Sequence, residues 1–141
     1  MCRSRTLLAA MLASAVMLLV GAFPASAGTR ESMVRAIENV RGHQLRFSQR
    51  LSAAAAGWAR HLFQAGVLAH SSRAIRAGEG EVIEWHTGTA ANISGVVQEW
   101  LASPDHRPVL LNGIWRRAGA GRAVGVMDGS RSTIWVVRFA R

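Results

Sequence analysis

Apolar positions along the chain recur with helical spacing in three places and with strand spacing in two. Met33, Ile37 and Val40 fall at i, i+4 and i+7 and predict a helix over 31–41, with Thr29 or Ser32 as its cap and Gly42 as its stop. Arg35 and Glu38 stand three apart, spaced to pair on the outer face. A stronger helix is predicted over 49–65, where Leu51, Ala55, Trp58, Leu62 and Ala65 hold the period. Ser48 is its N-cap and Gly66 its C-terminal stop. The small run from Ala53 to Ala56 allows a neighbour to approach closely. A third helix, near 92–102 and started by Asn92 or Thr89, turns Ile93, Val96, Val97, Trp100 and Leu101 inward. Pro104 disfavours helix at the residue before it, so this helix ends at Ser103.

Between these helices the pattern is weaker. His43 to Phe47 alternates but is too short to stand as its own element, so Leu45 and Phe47 are expected to plug the core. Residues 73–80 read as a polar, glycine-containing loop, and 81–85 as either a short strand or an irregular turn. Val109, Leu110, Leu111, Ile114 and Trp115 read as apolar anchors around Asn112-Gly113. Ala118–Val126 and Thr133–Phe139 read as strands joined by Met127-Asp128-Gly129-Ser130, an Asp-Gly hairpin signal. Gly119, Gly121 and Gly125 alternate with larger residues, which suits a strand against which something packs closely. Helices first and a hairpin last predict one α+β domain with helices layered on a sheet.

Composition adds a compartment. Arg3 and Arg5 precede an apolar run from Leu7 to Val20, and Ala25-Ser26-Ala27 follows as an A-x-A cleavage site. Residues 1–27 are therefore expected to be a secretory signal peptide and 28–141 the mature domain, secreted or cell-wall associated, with no transmembrane segment after cleavage. Cys2 would leave with the leader, so neither a disulfide nor a thiol nucleophile is available to the mature chain. The chain has 17 basic and 8 acidic residues, and removing Arg3 and Arg5 leaves 15 − 8 = +7. That charge favours anionic partners such as cell-envelope components. The arginines are scattered, without an aromatic-interleaved basic run, and with the export signal this argues against nucleic acid.

The candidate chemistry lies in His70 and His106, each following a helix terminus rather than sitting within an apolar stripe, and in the acids Glu79 and Glu81. An ordered set of short motifs surrounds them. Leu51 through Trp58-Ala59 is followed by Ala65-Gly66, His70-Ser71 and Gly80-Glu81-x-Ile83. Then come Val97-x-x-Trp100-x-x-Ser103-Pro104-x-His106-Arg107, Leu111-Asn112, Gly119-x-Gly121 and Trp135-Val136-Val137-x-Phe139. Together, over residues 31–140, they resemble the CAP superfamily, or SCP domain, in its small bacterial exported form. The resemblance implies a three-layer α-β-α sandwich and a cleft lined by two histidines and one or two acids. It carries His70 over as the first cleft histidine, His106 as the second and Glu81 as the acid, with Glu79 in Gly78-Glu79-Gly80 as the alternative register. The chain departs from the family pattern at Val82, where asparagine is common, and at Ser103, where larger members have a second acid. It also lacks the eukaryotic disulfides. A three-member cleft is the resulting expectation.

Two neutral imidazoles and a carboxylate can hold a divalent, zinc-like ion with a position left open. The competing reading is structural: the same three side chains hydrogen-bond one another and tie two loops to the sandwich. No activated nucleophile is evident. Trp58, Trp100 and Trp115 read as core packing rather than a ligand-stacking set. The expectation is an exported binding module whose cleft of His70, Glu81 and His106 takes a divalent metal, with His70 and His106 as ligands, or a small, possibly lipid-like molecule. One alternative is a metal-assisted hydrolase of peptide or envelope material with Glu81 as base. Another is a non-catalytic protein held to the envelope by charge.

Overall fold

A computed structural model describes residues 25–141. The expected leader and its apolar run lie outside the described residues, apart from Ala25 to Ala27, which open the first helix. In order, the elements are α1 (Ala25–Arg41), β1 (Arg46–Phe47), α2 (Gln49–Ala65), α3 (Ser72–Arg76), β2 (Gly80–Thr87), α4 (Ile93–Ala102), α5 (His106–Leu111), β3 (Arg117–Met127) and β4 (Ser130–Ala140). The four strands run β1-β3-β4-β2 across the sheet; β1 is parallel to β3, and the other pairs are antiparallel. No helix among the described residues is long and apolar enough to cross a membrane.

Helices cover both faces of the sheet. On one face α2 packs Ala55, Ala59 and Leu62 against Ile83, Ala123, Ile134 and Val136. On the other, α1, α4 and α5 bring Met33, Ile37, Val97, Trp100 and Leu110 onto Val82, Trp135, Val137 and Phe139. β4 lies between both helical layers, so Ser132 through Ala140 is buried continuously instead of alternating. This is a three-layer α-β-α sandwich in a single domain.

Local chemistry explains most of the element boundaries. Ser48 caps α2, its Oγ accepting from the Leu51 N–H at 3.3 Å, and Gly66 closes the helix in the left-handed region at φ 66°. Asp128 and Gly129 both take positive φ, 50° and 76°, the requirement of a two-residue type I′ hairpin. The alternating glycines of β3 meet α2. A Cβ on Gly119 would fall closer than 3.0 Å to the Ser52 amide nitrogen, and one on Gly121 equally close to Ala56. The small residues of α2 and the glycines of β3 are thus two halves of one close helix-on-strand contact.

Several expectations change. α1 starts at Ala25 rather than near 31, so Thr29 and Ser32 lie inside it, and the Ser32 hydroxyl donates to the Gly28 carbonyl at 2.7 Å. Arg35 does not pair with Glu38: its guanidinium donates to Ser32 Oγ, and Glu38 accepts from the Leu45 N–H. Arg46–Phe47 does form a strand, because the Ala118 carbonyl is free to accept from the Ser48 N–H at 2.7 Å. The expected loop contains α3, capped by Ser71, and Val109–Leu111 belongs to α5. Both helices are short, five and six residues, too brief to show a period.

Candidate functional site

The site forms where the segment after α2, the start of β2 and the start of α5 come together. Beyond Gly66, residues 67–70 leave the helix, and Trp58 of α2 pins them by donating its indole N–H to the Ala69 carbonyl at 2.9 Å. This places His70 beside β2. Ser71 next to it has two roles: its hydroxyl caps α3 through Ala74, and its own N–H donates to Glu81 Oε1 at 2.8 Å.

Glu81 is buried, and both its oxygens are engaged. Oε1 takes the Ser71 N–H and stands 3.1 Å from His70 Nδ1. Oε2 accepts from Arg138 Nε at 3.0 Å. Arg138 is Glu81's cross-strand neighbour in the β2–β4 register, so sheet pairing itself brings the charges together. Glu79, the alternative acid, accepts from Arg50 at 3.3 Å and lies 3.9 Å from Arg138; its partners are arginines, not a histidine. Sequence reasoning missed Arg138. The available signal is an arginine inside the otherwise apolar run from Ile134 to Ala140, which demands a buried partner.

His106 enters from α5. Pro104 breaks α4 from α5, and the Ser103 hydroxyl accepts from the His106 N–H at 3.3 Å. The half-buried imidazole shares a cleft of about 190 Å³ with His70, walled by Leu68, Ala69 and Ile83. Burial, and then the neighbouring His70, hold the His106 pKa below its ordinary value, while Asp105 pulls it upward. His106 is therefore neutral at neutral pH, with a lone pair available. Among the described residues its ring makes no hydrogen bond to protein, so the polar cluster is His70–Glu81–Arg138 rather than a closed His-Glu-His set.

The same backbone arrangement occurs in other solved structures. One is that of BmVAL-1, with a TM-score of 0.64 and 18% identity, covering 86% of this chain and 80% of the other. A second is an extracellular protein with an SCP domain from Bacillus anthracis str. Ames, TM-score 0.60 and 22% identity. The match covers 82% of this chain and 41% of that longer one. An outer surface protein from Borrelia burgdorferi matches at a TM-score of 0.59 and 17% identity, over 82% of this chain and 95% of that one. The chain has the CAP superfamily fold. No family model matches its sequence, and no curated protein matches it either.

Within this CAP fold the residues fit a metal in part. Among the described residues, no group of three or more ligating side chains converges. Glu81 has no free oxygen facing a metal, because three donors occupy it. His70, however, is held through Nδ1 by a carboxylate. That leaves Nε2 as its remaining donor atom, as in carboxylate–histidine–metal arrangements. The donor set is two imidazoles with Glu81 behind one of them.

Proposed function

We propose that this is an exported, non-catalytic CAP-fold protein whose His70–His106 cleft binds a divalent, zinc-like cation together with a small ligand. The supporting observation is the division of labour among three side chains. Glu81 orients His70 without approaching the cleft as a ligand, and His106 is neutral and unengaged. Two imidazoles alone hold such an ion modestly and leave its other positions to water or to an oxygen-bearing molecule. When bound, the ion would supply a Lewis-acidic anchor for that molecule. The apolar walls, Leu68, Ala69 and Ile83, suit a ligand that is only partly polar. The hydrolase alternative needs Glu81 as a free base, and its three donors leave it poorly suited to that role. Export fits the signal-like N-terminus and the descriptions of the Bacillus anthracis protein as extracellular and the Borrelia protein as an outer surface protein.

The test is calorimetric titration of the metal-stripped protein with zinc, beside a His70→Ala/His106→Ala variant checked for folding by circular dichroism. Saturable binding with a raised melting temperature in the parent alone is the expected outcome. Equal heats in both proteins, or no heat in the parent, would overturn the proposal.

A further inference from the structure

A second recess lies on the other side of the Glu81–Arg138 pair. A cleft of about 600 Å³ opens between α2 and α3, with Arg50 and Arg73 among its lining and Arg138 and Glu79 shared with the buried pair. A neighbouring cleft of about 430 Å³ is lined by Arg117 and Arg141. Both clefts include Arg50, Ala77 and Glu79, so they join into one trough around the Arg50 side chain, which is 69% exposed.

The charges do not cancel. Arg50, Arg73, Arg117, Arg138 and Arg141 line the trough, against Glu79 in it and Glu81 beneath it, a surplus among side chains of 5 − 2 = 3 positive charges. Arg138 and Arg50 are matched by the two glutamates. Arg117 donates twice to the Arg141 main-chain oxygen, whereas the Arg73 and Arg141 side chains form no salt bridge among the described residues. Arg73 lines only the larger cleft and Arg141 only the smaller, while the Arg50–Glu79 pair belongs to both. Cations divided between two adjoining clefts suit an extended molecule with several anions rather than a single compact anion. The walls of the larger cleft carry Trp58, Ala54 and Ala77, with the Ser72 hydroxyl at its rim. An indole and two methyl groups offer a surface to the C–H face of a sugar ring, while the arginines take its acidic substituents.

We infer that this trough binds an acidic polysaccharide, with Arg73 and Arg141 as the principal anion contacts. The site is separate from the histidine cleft and does not depend on a metal there.

The experiment measures binding of the full protein to heparin, to polygalacturonate, to neutral dextran and to a short single-stranded DNA, each over a salt series. The variant is Arg73→Gln/Arg141→Gln. The control, Arg60→Gln/Arg131→Gln, removes the same charge from exposed positions elsewhere. The expected result is saturable binding to heparin or polygalacturonate and none to dextran. Affinity should fall about tenfold in the trough variant, with a shallower salt dependence, and less than about twofold in the control. Whichever polymer binds tells whether sulfate or carboxylate is preferred. Equal losses in both variants would reduce the effect to net charge and overturn the inference. So would tighter binding of the DNA, or no saturable binding of either acidic polymer at low salt. Zinc binding by the trough variant should match the parent, which keeps this test independent of the histidine cleft.

Discussion

Arg138 Nε donates to Glu81 Oε2 at 3.0 Å with both side chains almost fully buried, 5% and 4% exposed. The pair spans two adjacent strands, β2 and β4, and separates the histidine cleft from the arginine trough. Taking either charge out of water is costly, and each removes that cost only while the other is present.

Arg138→Met alone should therefore destabilise strongly, by about 3–5 kcal/mol, because it strands the Glu81 carboxylate. Glu81→Gln/Arg138→Met should recover part of that loss, since the glutamine is uncharged and can still accept from the Ser71 N–H. Urea unfolding of the two variants checks this; a double variant no more stable than the single would contradict the pairing.

Gly121→Ala should cost about 1–3 kcal/mol or more, since its Cβ would fall on the backbone of Ala56 and the helix must move. Gly57→Ala is the matched contrast. It lies within α2, where an added Cβ meets nothing nearer than Arg60 at 3.9 Å. It should stabilise by about 0.5–1 kcal/mol through helix propensity. Melting curves of both variants should move in opposite directions.

Stability should depend on pH through His106. Its folded-state pKa lies below the ordinary value, chiefly through burial. On acidification the unfolded chain takes up this proton first, so the contribution is fully present above the ordinary histidine pKa. It is lost as pH falls through the lowered folded-state value. Unfolding free energy should rise with pH below the ordinary histidine pKa of about 6.5, and His106→Gln should flatten that slope. Denaturation series at several pH values for parent and variant decide it; identical slopes would count against a perturbed His106.

Ser48→Ala should lower stability by about 1 kcal/mol, the usual cost of removing an N-cap acceptor, here the one serving the Leu51 N–H. A denaturation midpoint unchanged by the substitution would mean that water replaces the hydroxyl at no cost.

Much of this was legible in the residues. The bounds of α2 follow from Ser48, a five-member apolar stripe and Gly66, all local signals. The hairpin follows from Asp128-Gly129, where the turn chemistry restricts φ, and the end of α4 from Pro104. The alternating glycines of β3 announced a close neighbour, although not that Ser52 and Ala56 would supply it. Apart from the start of α1, the elements that the reading missed were short: β1, α3 and α5 are two, five and six residues.

The long helices, the hairpin, the layered plan and the identity of three polar residues worth watching all follow from the order of residues, because each rests on spacing or turn chemistry within a short window. What those residues do to one another was settled by assembly in three dimensions. Strand register joined Glu81 to Arg138, 57 positions away. Packing turned Glu79 toward arginines and left His106 facing His70 across a cleft instead of bonding to the acid. Pairings of that kind depend on how the sheet comes together, and no local periodicity encodes them.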